Sequence, residues 1–176
     1  MDPRSLPTGP RALVIATFAA LTVGFLAGYV LAPRASVPDA PAADGAPHAV
    51  GPEEFAQLGM QALEAGDFTT AERYFRRSAD LAPDEAAPHT DLAVALMYQE
   101  RWEEAHGQLE VAAQIAPETP EVYFLQGVVY RDGMNDPARA RASWERFLAM
   151  VPADSPQAAT VQTWLDGLGR GGEATP

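Results

Sequence analysis

The chain has neither cysteine nor lysine. Without cysteine there are no disulfides, no thiolate metal ligands, no thiol catalysis and no covalent haem attachment. Without lysine, arginine carries all the permanent positive charge. Acidic residues outnumber basic ones 24 to 12, for a net charge of −12. That sign disfavours nucleic acid, whose phosphates need clustered positive charge, and suits a solvated acidic surface. Glycine-rich phosphate loops are missing as well. Of the histidines, His48 stands in a proline-rich stretch with no second ligand near it, and His89 and His106 have no nucleophile or acid–base partner at a useful spacing. Asp132, Asn135 and Asp136 crowd one turn, but not at the spacing of a calcium loop; Asp136 before Pro137 reads better as a helix cap. The chain is therefore expected to be no enzyme and to hold no metal or cofactor.

One long apolar run is present. Ala12 to Ala32 is 21 residues without a charge, about 31 Å as an α-helix and about the thickness of a bilayer's hydrocarbon core. Arg4 and Arg11 precede it, which favours residues 1–11 on the cytoplasmic side. The run is longer than a signal-peptide core, and Pro33 follows the nearest small-residue cleavage site, so an uncleaved signal anchor over 12–32 is expected. Ala16, Ala20, Gly24 and Gly28 recur every four residues, a stripe along which two such helices can approach closely. A homo-oligomer through that stripe is an expected partner contact beside the membrane itself. Residues 33–52 are rich in proline and alanine and poor in large apolar residues. They cannot bury enough surface to form a core, so they read as a tether reaching up to about 60 Å.

The remainder is periodic. Pro83, Pro117 and Pro152 are 34 and 35 residues apart. Each interval holds two short amphipathic helices around a turn. In the first, Phe55, Leu58, Gly59 and Ala62 form one apolar face and Ala71, Phe75 and Ser78 the other; Thr69-Thr70-Ala71-Glu72 fits a capping box opening the second helix. In the second, Leu92, Ala93 and Leu96 are followed by Ala105, Leu109 and Ala112, with Trp102 at the turn. In the third, Tyr123, Gly127 and Tyr130 are followed by Ala140, Trp144 and Phe147, and one extra residue lengthens the turn around Gly133 to Asp136. Ser155 then caps a further helix opening at Pro156 and expected to stop at Gly169. Its stripe of Ala158, Val161, Leu165 and Leu168 is placed to cover the third pair, with Trp164 at the margin, and residues 170–176 are expected to be disordered.

At these residues the chain resembles the tetratricopeptide repeat family. Matches to the family pattern are Phe55, Leu58, Gly59, Ala71, Phe75 and Pro83, then Leu92, Ala105, Ala112 and Pro117, then Tyr123, Gly127, Tyr130, Ala140, Trp144 and Pro152. His89, Ala93 and Leu109 depart from it, as do Gln126 and the insertion. The resemblance implies an all-α fold: three helix–turn–helix repeats at 53–85, 86–119 and 120–154 and a capping helix at 155–169, preceded by one transmembrane helix. Such repeats bury their apolar faces by stacking on one another.

The resemblance also implies a binding face, because first helices line the concave side in this family. The matching positions are Glu53, Ala56, Met60 and Leu63; then Ala87, Thr90, Val94 and Met97, with Tyr98 beside them; then Glu121, Phe124, Val128 and Arg131. Met60, Leu63, Thr90, Val94, Met97, Tyr98, Phe124, Val128 and Arg131 are the expected partner-binding residues. Mostly apolar and rich in methionine and aromatics, they suit adaptable capture of a peptide or protein client, unless the last helix or a second copy covers them. The family's lysine-and-asparagine grip on acidic peptide tails has no counterpart here, since Arg131 is the lone base of the set. An apolar or positively charged ligand fits better. The expected protein is a membrane-anchored interaction module facing the bacterial periplasm, a scaffold or client-capturing unit in envelope complex assembly. A self-assembling membrane organiser is the competing expectation. A third is an apocytochrome-binding module, because the architecture is similar to the periplasmic repeat modules of cytochrome c biogenesis factors.

Overall fold

The computed structural model describes residues 50–171. The apolar run, its small-residue stripe, the linker up to residue 49 and residues 172–176 lie outside them. The described residues form seven α-helices: α1 (Pro52–Glu64), α2 (Phe68–Leu81), α3 (Ala86–Tyr98), α4 (Trp102–Ile115), α5 (Pro120–Val128), α6 (Pro137–Met150) and α7 (Pro156–Gly171). Among the described residues, no helix is long and apolar enough to cross a membrane.

Consecutive helices pair, α1 with α2, α3 with α4 and α5 with α6, and α2 packs in turn on α3. In the first and third pairs a glycine of the first helix meets an aromatic ring of the second. A Cβ added at Gly59 would lie 2.5 Å from the ring of Phe75, and one at Gly127 would lie 2.1 Å from Nε1 of Trp144. Both aromatics are fully buried. The same register puts Ala93 and Leu109 in the second pair, both also fully buried. There the added methyl is matched by a smaller opposing side chain, a volume-conserving swap that cores tolerate. This accounts for two of that repeat's departures from the family pattern.

Three local features differ from the sequence reading. The cap of α2 is Asp67, whose Oδ1 accepts from Thr70 N at 3.1 Å; these hydrogen bonds hold its carboxyl below the usual range. Thr69 is not the cap, and Glu72 is drawn away from the helix start. Its carboxylate accepts from Arg76 (2.7 Å), Gln99 (3.0 Å) and Arg101 (2.5 Å) and ties the first repeat to the second. The extra residue of the third repeat is absorbed before the turn, as a π-helical segment at Val129–Gly133. An inserted residue in a continuing helix is commonly accommodated in this way. Trp102 lies so close to Gly133 that an added Cβ would sit 2.3 Å from its Cγ. Asp136 caps α6 as read from the sequence, accepting from Arg139 N at 2.9 Å. Finally, α7 is capped by Ser155 as expected, with Ala158 N donating at 3.1 Å, but it runs through Gly169 to Gly171. A glycine inside a helix costs only about 1 kcal/mol relative to alanine, so it need not end one.

Candidate partner-binding face

The first helices α1, α3 and α5 carry all the residues expected to bind a partner except Arg131, which follows α5 in the π-helical turn. The structure divides them. Thr90, Val94, Met97, Phe124 and Val128 are buried, between 2% and 7% exposed. Met60, Leu63, Tyr98 and Arg131 keep partial exposure. The picture of an open apolar surface is therefore corrected for five of the nine. The reason is visible in the helices themselves. Leu92 to Met97 are buried without interruption, as are Val122 to Tyr130, so α3 and α5 have no polar side at these levels. A helix that is apolar all round is a buried helix.

Phe124 is enclosed by Phe147, at 5.5 Å between ring centroids, and by Trp164 of α7, at 5.7 Å. The last helix thus covers this end of the face. Trp164 also meets Trp144 at 5.1 Å, and the Arg131 guanidinium lies over both indoles, 4.5 Å from Trp164 and 5.1 Å from Trp144. Arg131 donates from Nε and Nη2 to Asp132 at 2.6 and 2.8 Å. Its charge is therefore already engaged. At the other end Tyr98 stacks on Phe68 at 4.7 Å, nearly parallel.

The two described histidines, His89 and His106, serve packing. His89 bonds Gln108 Oε1 at 2.9 Å and the Pro83 carbonyl at 3.2 Å, which explains its place at a usually bulky position. His106 Nε2 meets the Tyr130 hydroxyl at 2.7 Å. Among the described residues, no three acidic or histidine side chains gather as a metal site would require.

One residue of the face escaped the sequence reading. Asp91 falls three positions before Val94 and seven before Tyr98, on the same stripe of α3. The available signal was that spacing, in a helix with no other charged residue after its first turn. Burial pushes the Asp91 carboxyl up to about 7, and the nearby Glu121 carboxylate adds to the effect. Burial also raises Glu121. The sign for stability follows. A folded-state value above the ordinary 3.8 means that the folded chain holds this proton more tightly than the unfolded chain does. The stabilisation is complete below about pH 4 and is lost as pH rises towards 7. Urea unfolding at pH 5 and pH 8 should show the native chain losing stability between the two, and Asp91→Asn should flatten that slope. An unaltered slope in the variant would place the titration elsewhere.

Residues 62–127 match the family model described as tetratricopeptide repeat. The described helices form an all-α, tetratricopeptide-like domain of seven helices. Solved tetratricopeptide structures are similar along most of their length. The first tetratricopeptide domain of Spaghetti (RPAP3), bound to the HSP90 peptide SRMEEVD, superposes with a TM-score of 0.62 at 16% identity, covering 68% of this chain and 91% of that one. PcrH in complex with the chaperone-binding region of PopD gives 0.63 at 18%, covering 69% and 92%. The TPR2B domain of yeast Sti1 in a complex with pHsp70 gives 0.63 at 16%, covering 68% and 97%. No curated protein is similar in sequence. At such identities the likeness is one of fold.

Proposed function

We propose that the chain is a membrane-anchored interaction module that takes a peptide or protein segment along the first-helix face of its tetratricopeptide domain. One observation carries this reading: a strip of partly exposed side chains, Met60, Leu63, Asp91, Tyr98, Glu121 and Arg131, borders the buried residues of that face. The similar RPAP3, PcrH and Sti1 structures each hold a peptide or protein partner, which supports partner binding as the use of this fold. The apolar run Ala12–Ala32 suits a single transmembrane anchor, with the domain tethered on the periplasmic side.

Self-assembly is favoured by one feature of its own. The exposed large apolar residues among those described, Val50, Leu58 and Leu81, all lie in or beside the first repeat, at the end of the stack where no described helix precedes α1. A photocrosslinker at Met60 of the full chain in cells separates the readings. A distinct client protein is the expected product, and Met60→Glu with Leu63→Glu should abolish it without loss of helicity, since both positions are only half-buried. Capture of a second copy instead would support self-assembly. Undiminished client capture by the double variant would remove the face from consideration. A periplasm-active reporter fused after Pro176 should be functional; an inactive one would reverse the topology.

A further inference from the structure

Gln126 breaks a pattern that the other two repeats keep. Leu58, Leu92 and Gln126 stand 34 residues apart, each directly before the small residue of its first helix, Gly59, Ala93 and Gly127. Leu92 is 2% exposed and Gln126 9%, so the glutamine takes a leucine's place with little water around it. Its carboxamide makes no hydrogen bond to any described residue. A buried amide without a partner costs stability that a leucine there would not. Yet among the described residues no side-chain polar atom is sealed away without a partner. The Gln126 amide therefore reaches open space.

That space is a recess of about 340 Å³ at the seam between the second and third repeats. Glu110 and Gln114 of α4, Tyr123 and Gln126 of α5, Arg146 of α6 and Pro117 line it. The seam is open because α4 packs on α5 more sparsely than α2 packs on α3. The Arg146 guanidinium lies over the Tyr123 ring, 4.1 Å from its centroid. Its contact with the Pro117 carbonyl is long, 3.5 Å, and that oxygen already accepts from the Tyr123 hydroxyl at 2.9 Å. Arg146 makes no ion pair with any described residue, so it keeps donors to spare.

The charges of the lining select the ligand. A carboxylate would pair with Arg146 but meet Glu110, and a cationic side chain would do the reverse. A primary carboxamide carries no charge and sets a donor beside an acceptor in one plane, the arrangement that Gln126 itself presents. Two such groups pair head to head through two N–H···O bonds. A main-chain amide cannot pair in this way, because its trans N–H and C=O point in opposite directions. The volume is at the lower end of the range for ligand sites, which suits one side chain.

We propose that this recess is a subsite for a glutamine or asparagine side chain of a bound peptide, with Gln126 as its pairing partner and Arg146 as a second donor to its oxygen. None of the residues expected to bind a partner on the first-helix face lines the recess, so the subsite is separate from that face.

The test uses the full chain in detergent and a random dodecapeptide phage library, first depleted on immobilised Gln126→Leu and then selected on the native chain. The selected peptides should share a glutamine or asparagine at one position. A synthetic copy of the best peptide should bind about tenfold more weakly when that residue is replaced by leucine, and equally weakly to Gln126→Leu. Met60→Glu with Leu63→Glu should bind it unchanged, and free glutamine at the same concentration should not displace it. Gln126→Leu should melt at a higher temperature than the native chain, since it puts a leucine where Leu92 stands in the second repeat. No peptide preferring the native chain, or a shared residue that is charged or apolar, would overturn the subsite. So would displacement by free glutamine, loss of binding in the first-helix variant, or a lower melt for Gln126→Leu, which would make the amide a structural group.

Discussion

Trp144→Ala should lower the stability of the domain by about 3–5 kcal/mol, enough to unfold a domain of ordinary stability or bring it to the edge. Trp144 is fully buried. Its indole fills the space that Gly127 leaves open, donates from Nε1 to the Phe124 carbonyl at 3.1 Å, and packs against Trp164. Truncation removes the side chain from a site lined by a residue with no Cβ, so the surroundings have little with which to refill the cavity. It also loosens α7, whose Trp164 loses its neighbour. Urea unfolding followed by circular dichroism measures the effect. A loss under about 1 kcal/mol would mean that the third helix pair closes around something other than this indole.

Phe124→Glu should unfold the third repeat rather than merely block binding. On the sequence pattern alone this residue belongs to an open groove, where a charge would be tolerated. In the fold it is 7% exposed, held between Phe147 and Trp164, with Glu121 one helical turn away. A carboxylate there would be buried without a partner and beside a like charge, at a cost of several kcal/mol. Phe124→Leu keeps the apolar volume approximately and should remain helical and protease-resistant. A Phe124→Glu chain with full helicity and an unchanged melt would show that the position is open after all.

The contrast between Phe124 and Met60 shows where residue spacing stops being informative. Both are expected binding positions on first helices. The pattern assigns each a direction relative to its own repeat, and nothing in the pattern states what the next element lays over it. Phe124 is covered because Trp164 of α7 reaches it; Met60 stays partly exposed. The caps show the same limit on a smaller scale. Thr69-Thr70-Ala71-Glu72 satisfies a capping rule, yet Asp67 lies nearer the turn and takes the Thr70 amide, while Glu72 is pulled away by Arg101 from the next repeat. A rule confined to four residues cannot anticipate a competitor 29 residues further on.

Much of the architecture was nevertheless legible without coordinates. The spacing of Pro83, Pro117 and Pro152 sets the repeat length. Gly59 with Phe75, and Gly127 with Trp144, mark the helix pairs, because a close helix contact needs a small residue opposite a large one. Ser155, Asp136 and the prolines that open helices announce their own positions through backbone chemistry that acts within one turn. These features are local, so local spacing reports them. The exposure of the first-helix face, the π-helical absorption of the inserted residue and the burial that raises the Asp91 and Glu121 carboxyls were not legible in that way. Each depends on what packs against a helix from a distant part of the chain, and burial, like the pKa changes that follow from it, is a property of the assembled neighbours rather than of the segment.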